Sequence, residues 1–127
     1  MNSQEHVEGV VVILEGEVVR GLRQLAKKRS FSILEVEAAD QALKHIQSVR
    51  PCVIVVQVEP DRQEAMRFIR KAKTATRRVP LIAAAVGHTA ALEREVLRAG
   101  ASAYVPGASS GLLNPLLEAV LTSDREK

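Results

Sequence analysis

The chain has 127 residues, of which 46% are hydrophobic and 26% charged, and its formal net charge is +3. These values are typical of one globular domain, predicted over residues 1–127, and exclude a disordered tail. A single cysteine excludes an internal disulfide, and an aromatic content of 2% weighs against a site that needs stacking on aromatic rings.

Short apolar runs alternate with longer amphipathic stretches along the chain. The apolar runs predict five strands, at residues 10–14, 32–36, 53–56, 81–85 and 103–105. Apolar residues at helical spacing predict four helices, at 17–29, 39–49, 62–74 and 89–99. Thr89 is the expected N-cap of the fourth helix, and Gly100 its end.

The fifth predicted helix ends near Thr122, and its start has two candidates. Ser110 is a good capping residue, and Asn114-Pro115 is also a good start signal. Five nearly all-apolar strands alternating with five helices predict right-handed crossovers and a parallel sheet that is covered on both faces. The expected fold is therefore α/β: a three-layer, doubly wound, five-stranded parallel sheet with the flavodoxin-like (βα)5 order.

Four phrases, in order along the chain, are similar to those of the response-regulator receiver (CheY-like) family. VVVILEGE resembles its first strand with an acidic cluster, and RPCVIVVQVEP resembles the third strand, where the phosphate-accepting aspartate lies. VPLIAAAVG resembles the fourth strand, and RAGASAYVPG the fifth. Together these phrases cover essentially the whole chain, and the resemblance implies the receiver fold.

The chemistry of the receiver family does not carry over to this sequence. Its aspartate nucleophile falls on Gln57, a neutral amide, and its acidic pair for Mg²⁺ falls on Glu15 and Gly16. The phosphate-sensing hydroxyl falls on Ala85, and the lysine that pairs with the phosphate falls on Gly107. The resemblance therefore implies a degenerate receiver pocket that has no catalytic residue, metal or cofactor. The chain is predicted not to be an enzyme.

The last predicted helix carries more leucines than one core-facing stripe needs. In the receiver family, helix four, strand five and helix five form the usual docking and dimerisation face, and Tyr104 matches the aromatic switch residue there. We therefore predict a contact surface for a protein partner, or for a second copy, at Tyr104, Leu112, Leu113, Leu116, Leu117 and Leu121. The alternative is that the extra leucines merely cover the edge of the sheet.

The predicted function is that of a phosphorylation-independent signalling and protein-interaction module of a bacterial two-component-type regulator. Two other classes stay open. One is a small-ligand sensor that uses the vacated pocket, although no glycine-rich phosphate loop supports it. The other is a nucleic-acid-binding regulator that uses a basic run. The run lacks a recognition motif and is more often only a solvated face, so nucleic acid is not the expected partner. The residues of this run are Arg67, Arg70, Lys71, Lys73, Arg77 and Arg78.

The expected location of the protein is the cytoplasm. The amino terminus is polar, and no apolar run approaches the length that spans a membrane. The single cysteine, Cys52, is consistent with a reducing compartment. We accordingly expect no membrane partner.

Overall fold

A computed structural model of the protein describes residues 9–13, 22–24, 27–28, 32–36, 39–49, 51–58, 63–76, 78–87, 89–106 and 110–125. Five strands are present: β1 (Gly9–Ile13), β2 (Ser32–Glu35), β3 (Val53–Val58), β4 (Leu81–Ala85) and β5 (Ala103–Val105). Residues 22–24 and 27–28 are helical and are labelled α1. The other helices are α2 (Ala39–Val49), α3 (Gln63–Ala75), α4 (Ala90–Ala99) and α5 (Ser110–Arg125).

The five strands form one parallel sheet in the order β2-β1-β3-β4-β5. Parallel neighbours cannot be joined by a hairpin, so successive strands are connected by crossovers. The order of strands reverses between β1 and β3, which is the switch point of a doubly wound sheet. This architecture confirms the predicted flavodoxin-like fold, with β5 at one edge of the sheet.

Two clusters of buried side chains fill the space between the sheet and its helices. On one face Val53 and Val55 of β3 join Leu22 of α1 with Leu113 and Leu117 of α5. The alternate residues of β3 lie on the other face of the sheet, where they pack against helices α2, α3 and α4. Its buried members from the helices include Ile46, Phe68, Ile69, Leu92 and Val96. The alternation of β3 side chains between faces therefore produces the three layers.

Helix α4 is bounded by the two residues that the sequence predicts. The Thr89 hydroxyl accepts a hydrogen bond of 3.0 Å from the Leu92 backbone N–H, which is N-cap geometry. Gly100 ends the helix at φ 132°, a conformation that residues with a side chain rarely adopt. A Cβ at Gly100 would also lie 2.9 Å from the Lys73 Cγ of α3, so this glycine allows the two helices to approach closely.

Helix α5 begins at Ser110, the first of the two predicted starts, and continues to Arg125. Pro115 therefore lies inside the helix, where it cannot donate the backbone hydrogen bond that another residue would make. No helix in the described part of the chain is long and apolar enough to cross a membrane.

Candidate functional site

The carboxyl ends of β3 and β4 lie side by side. In their register Gln57 pairs with Ala84, and Val58 pairs with Ala85. The Val86 backbone N–H donates a 2.9 Å hydrogen bond to the Val58 carbonyl, which continues the pairing one residue past β4. Ligands of doubly wound sheets bind at this edge. The fold therefore brings two predicted pocket positions, Gln57 and Ala85, to adjacent strands at the edge where a site is expected.

Gln57 lies within β3 and not after it, because the strand extends to Val58 rather than ending at the predicted Val56. Its side chain is half-buried, whereas the neighbouring Val56 and Val58 are fully buried. A glutamine amide can donate and accept hydrogen bonds, but it carries no charge and is not an oxygen nucleophile for a phosphoryl group. At this position the chain can therefore form hydrogen bonds but cannot accept a phosphoryl group.

Ala85 is fully buried and belongs to the core cluster on the α2, α3 and α4 face. Its methyl group cannot donate a hydrogen bond to a phosphate. Glu15, Gly16 and Gly107, the other predicted pocket residues, lie outside the described residues. Within the described ranges, no group of three histidine, cysteine, aspartate or glutamate side chains is arranged to hold a metal ion.

Replacing Ala85 with threonine is expected to lower the free energy of unfolding by about 1–3 kcal/mol, because a closed core accepts extra heavy atoms only with strain. The measurement is urea denaturation followed by circular dichroism. Ala91→Thr on the exposed side of α4 is the matched control, and helix propensity limits its cost to about 0.7 kcal/mol. Equal stability of Ala85→Thr and the wild type would mean that room for a hydroxyl remains beside β4.

Tyr104 lies on the edge strand β5, opposite Ala83 of β4. Its half-buried ring packs against the core cluster on the α4 side of the sheet. Burial raises the pKa of the Tyr104 hydroxyl, and the negative charge of Glu93 on α4 raises it further. Tyr104 therefore lies beside α4, with its ring against the core and Glu93 nearby.

The five predicted contact leucines of α5 do not share one surface. Leu113 and Leu117 are fully buried in the cluster between α5 and the sheet, so the prediction that they form a contact surface is wrong. Leu116 is half-buried against the same cluster. Leu112 remains as an exposed position, with 55% of its surface accessible, and the side chain of Leu121 lies outside the described residues.

Three large hydrophobic side chains are exposed in the described part of the chain: Val86, Leu97 and Leu112. Leu97, on α4, is 42% accessible and was not among the predicted contact residues. The sequence contains a signal for it, because Leu92 and Val96 are four residues apart and form the buried stripe, whereas Leu97 lies one residue off that stripe. Leu97 follows Glu93 by four residues, so it lies on the side of α4 that is near Tyr104.

A surface groove of about 590 Å³ opens between the first turns of α2 and α3. Four charged residues contribute to its lining: Asp40, Glu64, Arg67 and Lys71. Neither Gln57 nor Ala85 is among its lining residues. The groove is therefore separate from the predicted pocket. It does not support the alternative that a small ligand binds at Gln57 and Ala85.

This architecture is that of the CheY-like receiver domains. No protein-family model and no curated protein matches the sequence. Among solved structures, the chain is similar to a CheY-like response regulator receiver domain protein from Methanospirillum hungatei JF-1, with a TM-score of 0.76 and 16% identity. That match covers 95% of this chain and 99% of the other.

Two further structures extend the comparison to other response regulators. The orphan response regulator HP1043 of H. pylori gives a TM-score of 0.73 at 17% identity, covering 89% of this chain and 95% of that one. A LuxR-family two-component response regulator from Aurantimonas sp. SI85-9A1 gives 0.75 at 20% identity, covering 92% and 86% of the two chains. At these identities the similarity establishes a shared fold.

Proposed function

We propose that this chain is a receiver-type signalling module that works without phosphorylation, by binding another protein. The observation that supports the proposal is that β3 and β4 end side by side with a neutral Gln57 and a buried Ala85. By resemblance, these residues fall on the phosphate-accepting and phosphate-sensing positions of the receiver family. An amide and a methyl group provide neither a nucleophile nor a phosphate-sensing hydroxyl. By resemblance to the family, Gly16 stands in place of one of the two metal-binding carboxylates, next to the remaining Glu15, and Gly107 stands in place of the lysine that pairs with the phosphate.

The proposed binding surface, called here the edge surface, consists of Leu97 on α4, Tyr104 on β5 and Leu112 on α5. These residues belong to the three elements around the open side of the sheet, where β5 pairs with β4 alone. Two of the three exposed large hydrophobic side chains of the described residues are in this set. Exposed apolar side chains that cluster on a globular protein commonly mark interaction sites.

The partner that suits this surface is a protein, because an apolar centre with an aromatic residue is typical of protein interfaces. A second copy of this chain is the partner that can be tested directly. The proposal places the protein in the cytoplasm, as a bacterial regulator or a domain of one, with residues 1–127 folding as one unit.

Replacing Leu97 and Leu112 together with glutamate is expected to abolish self-association, because two charges would have to be buried without partners. The measurement is sedimentation velocity across a micromolar concentration series, with circular dichroism to verify folding. Both side chains are largely exposed, so the cost to stability is expected to stay within about 0.5 kcal/mol for each.

Val86→Glu is the matched control, since Val86 is 44% accessible and follows β4 outside the edge surface. It is expected to associate like the wild type. A folded Leu97→Glu/Leu112→Glu variant that associates as strongly as the wild type would contradict the edge surface. A wild type that stays monomeric at every concentration would contradict self-association.

A further inference from the structure

Helix α3 carries a row of cations on the side that faces away from the core. Its buried residues are Met66, Phe68, Ile69 and Ala72. Arg67, Arg70 and Lys71 are all exposed, and their spacing of three and four residues places them together on the opposite side of the helix. The step from Arg67 to Lys71 corresponds to about 6 Å along the helix axis.

The positive charge extends beyond this row. Lys73 is exposed at the flank of α3, and Arg78 is exposed just after the helix. Glu64 is the single acidic residue of α3 and lies in its first turn. In the described part of the chain a salt bridge joins Arg23 to Glu35, and none of the α3 cations forms a salt bridge. Asp40 and Glu64 line the same groove as Arg67 and Lys71. The row and its flanks therefore carry five positive charges against these two carboxylates, and none of the five is in a salt bridge in the described part of the chain.

The chemistry of this surface favours one class of binding partner. No large hydrophobic side chain is exposed on α3, so the helix offers neither the apolar centre of a protein interface nor side chains that insert into a membrane. The chain has three aromatic residues, Phe31, Phe68 and Tyr104, too few to stack the bases of a single strand. Regularly spaced cations on a helix that exposes no large apolar or aromatic side chain suit the phosphate backbone of a duplex.

We propose that α3 binds the phosphate backbone of double-stranded nucleic acid through Arg67, Arg70, Lys71 and Arg78, without preference for base sequence. This activity is independent of the edge surface. Helix α3 contacts β3 in the middle of the sheet, whereas β5 is an edge strand, and the two proposed surfaces have no residue in common. Binding of this kind draws its free energy from the release of counterions, so it weakens steeply as salt concentration rises.

The test is fluorescence anisotropy of a labelled 20-base-pair duplex of mixed sequence, titrated with the full chain at 50–200 mM KCl. If the four cations each neutralise one phosphate, the slope of log K against log salt is about −3.6, equal to a loss of about 150-fold across this range. In the triple variant Arg67→Gln/Arg70→Gln/Lys71→Gln, the slope is expected to fall to about −0.9.

The matched control is Lys27→Gln/Lys28→Gln/Arg94→Gln. It removes the same number of positive charges, three, from exposed positions on α1 and α4. It is expected to keep a slope near that of the wild type. Three results would overturn the proposal: no salt-dependent binding by the wild type, equal losses in the two triple variants, or tighter binding to polyglutamate or phosphatidylserine vesicles than to the duplex.

Discussion

Replacing Leu113 with alanine is expected to lower the free energy of unfolding by about 2–5 kcal/mol, whereas Leu112→Ala is expected to change it by less than about 0.5 kcal/mol. The two leucines are adjacent in α5, so the change in helix propensity is the same for both. They differ in environment, since Leu113 is fully buried against Leu22 and β3 and Leu112 is 55% accessible. Deleting the Leu113 side chain leaves a cavity between α5 and the sheet.

Urea denaturation of the two variants, followed by circular dichroism, measures this difference directly. Leu117→Ala should behave like Leu113→Ala, because Leu117 is fully buried in the same cluster. Equal small effects at positions 112 and 113 would mean that α5 does not pack on the sheet through Leu113. The assignment of Leu112 to the edge surface would then fail as well.

Replacing Phe68 with alanine is expected to cost about 3–5 kcal/mol, the range for loss of a buried aromatic side chain. Phe68 is 1% accessible, and in the described part of the chain it is the largest of the fully buried side chains. Its ring lies in the cluster that joins α2, α3 and α4 to the sheet. The half-buried Tyr104 is the other aromatic residue that packs against this cluster, and the buried neighbours of Phe68 are smaller, non-aromatic side chains.

The free energy of unfolding from a guanidinium titration tests this expectation. Arg67→Ala, the preceding residue on the exposed side of α3, is the control and should change stability by less than about 0.5 kcal/mol. A loss of under 1 kcal/mol in Phe68→Ala would contradict the packing of α3 on β3 and β4. The basic row would then lack the rigid support that the proposed nucleic-acid contact needs.

The sequence predicts α4 well because the signals at its two ends are local. Thr89 caps the helix through its own hydroxyl, and Gly100 adopts a positive φ that favours glycine, so neither needs information from distant parts of the chain. The order of strands also follows from the pattern, because all-apolar strands separated by helices leave few alternatives to a covered parallel sheet. The fold was therefore predictable from short-range signals.

The leucines of α5 were not predictable in the same way. Leu112 and Leu113 are adjacent, as are Leu116 and Leu117, so two helix orientations bury one member of each pair. Only the contact with Leu22 and β3 selects Leu113 and Leu117 as the buried members. The start of α5 was ambiguous for a similar reason, since packing places Pro115 inside the helix despite its missing backbone hydrogen bond.

The candidate pocket was predictable in part. The pattern assigned Gln57 to the end of the third strand and Ala85 to the end of the fourth, and in the sheet these two strands are adjacent. Their role as a pocket stays a prediction. The end of β3 was predicted two residues early, because Gln57 interrupts the apolar run although its backbone still pairs with Ala84. A polar side chain at a strand end does not stop a ladder that the backbone can continue.

Intact-mass spectrometry after incubation with acetyl phosphate and Mg²⁺ tests the central claim most directly. A receiver with an intact acceptor aspartate, treated in parallel, serves as the positive control. The expected result for this chain is an unchanged mass, because Gln57 stands where the acceptor would be and Ala85 supplies no hydroxyl. An added phosphoryl group, mapped by peptide analysis to Glu15, Glu59 or Asp61, would contradict the proposal that the module works without phosphorylation.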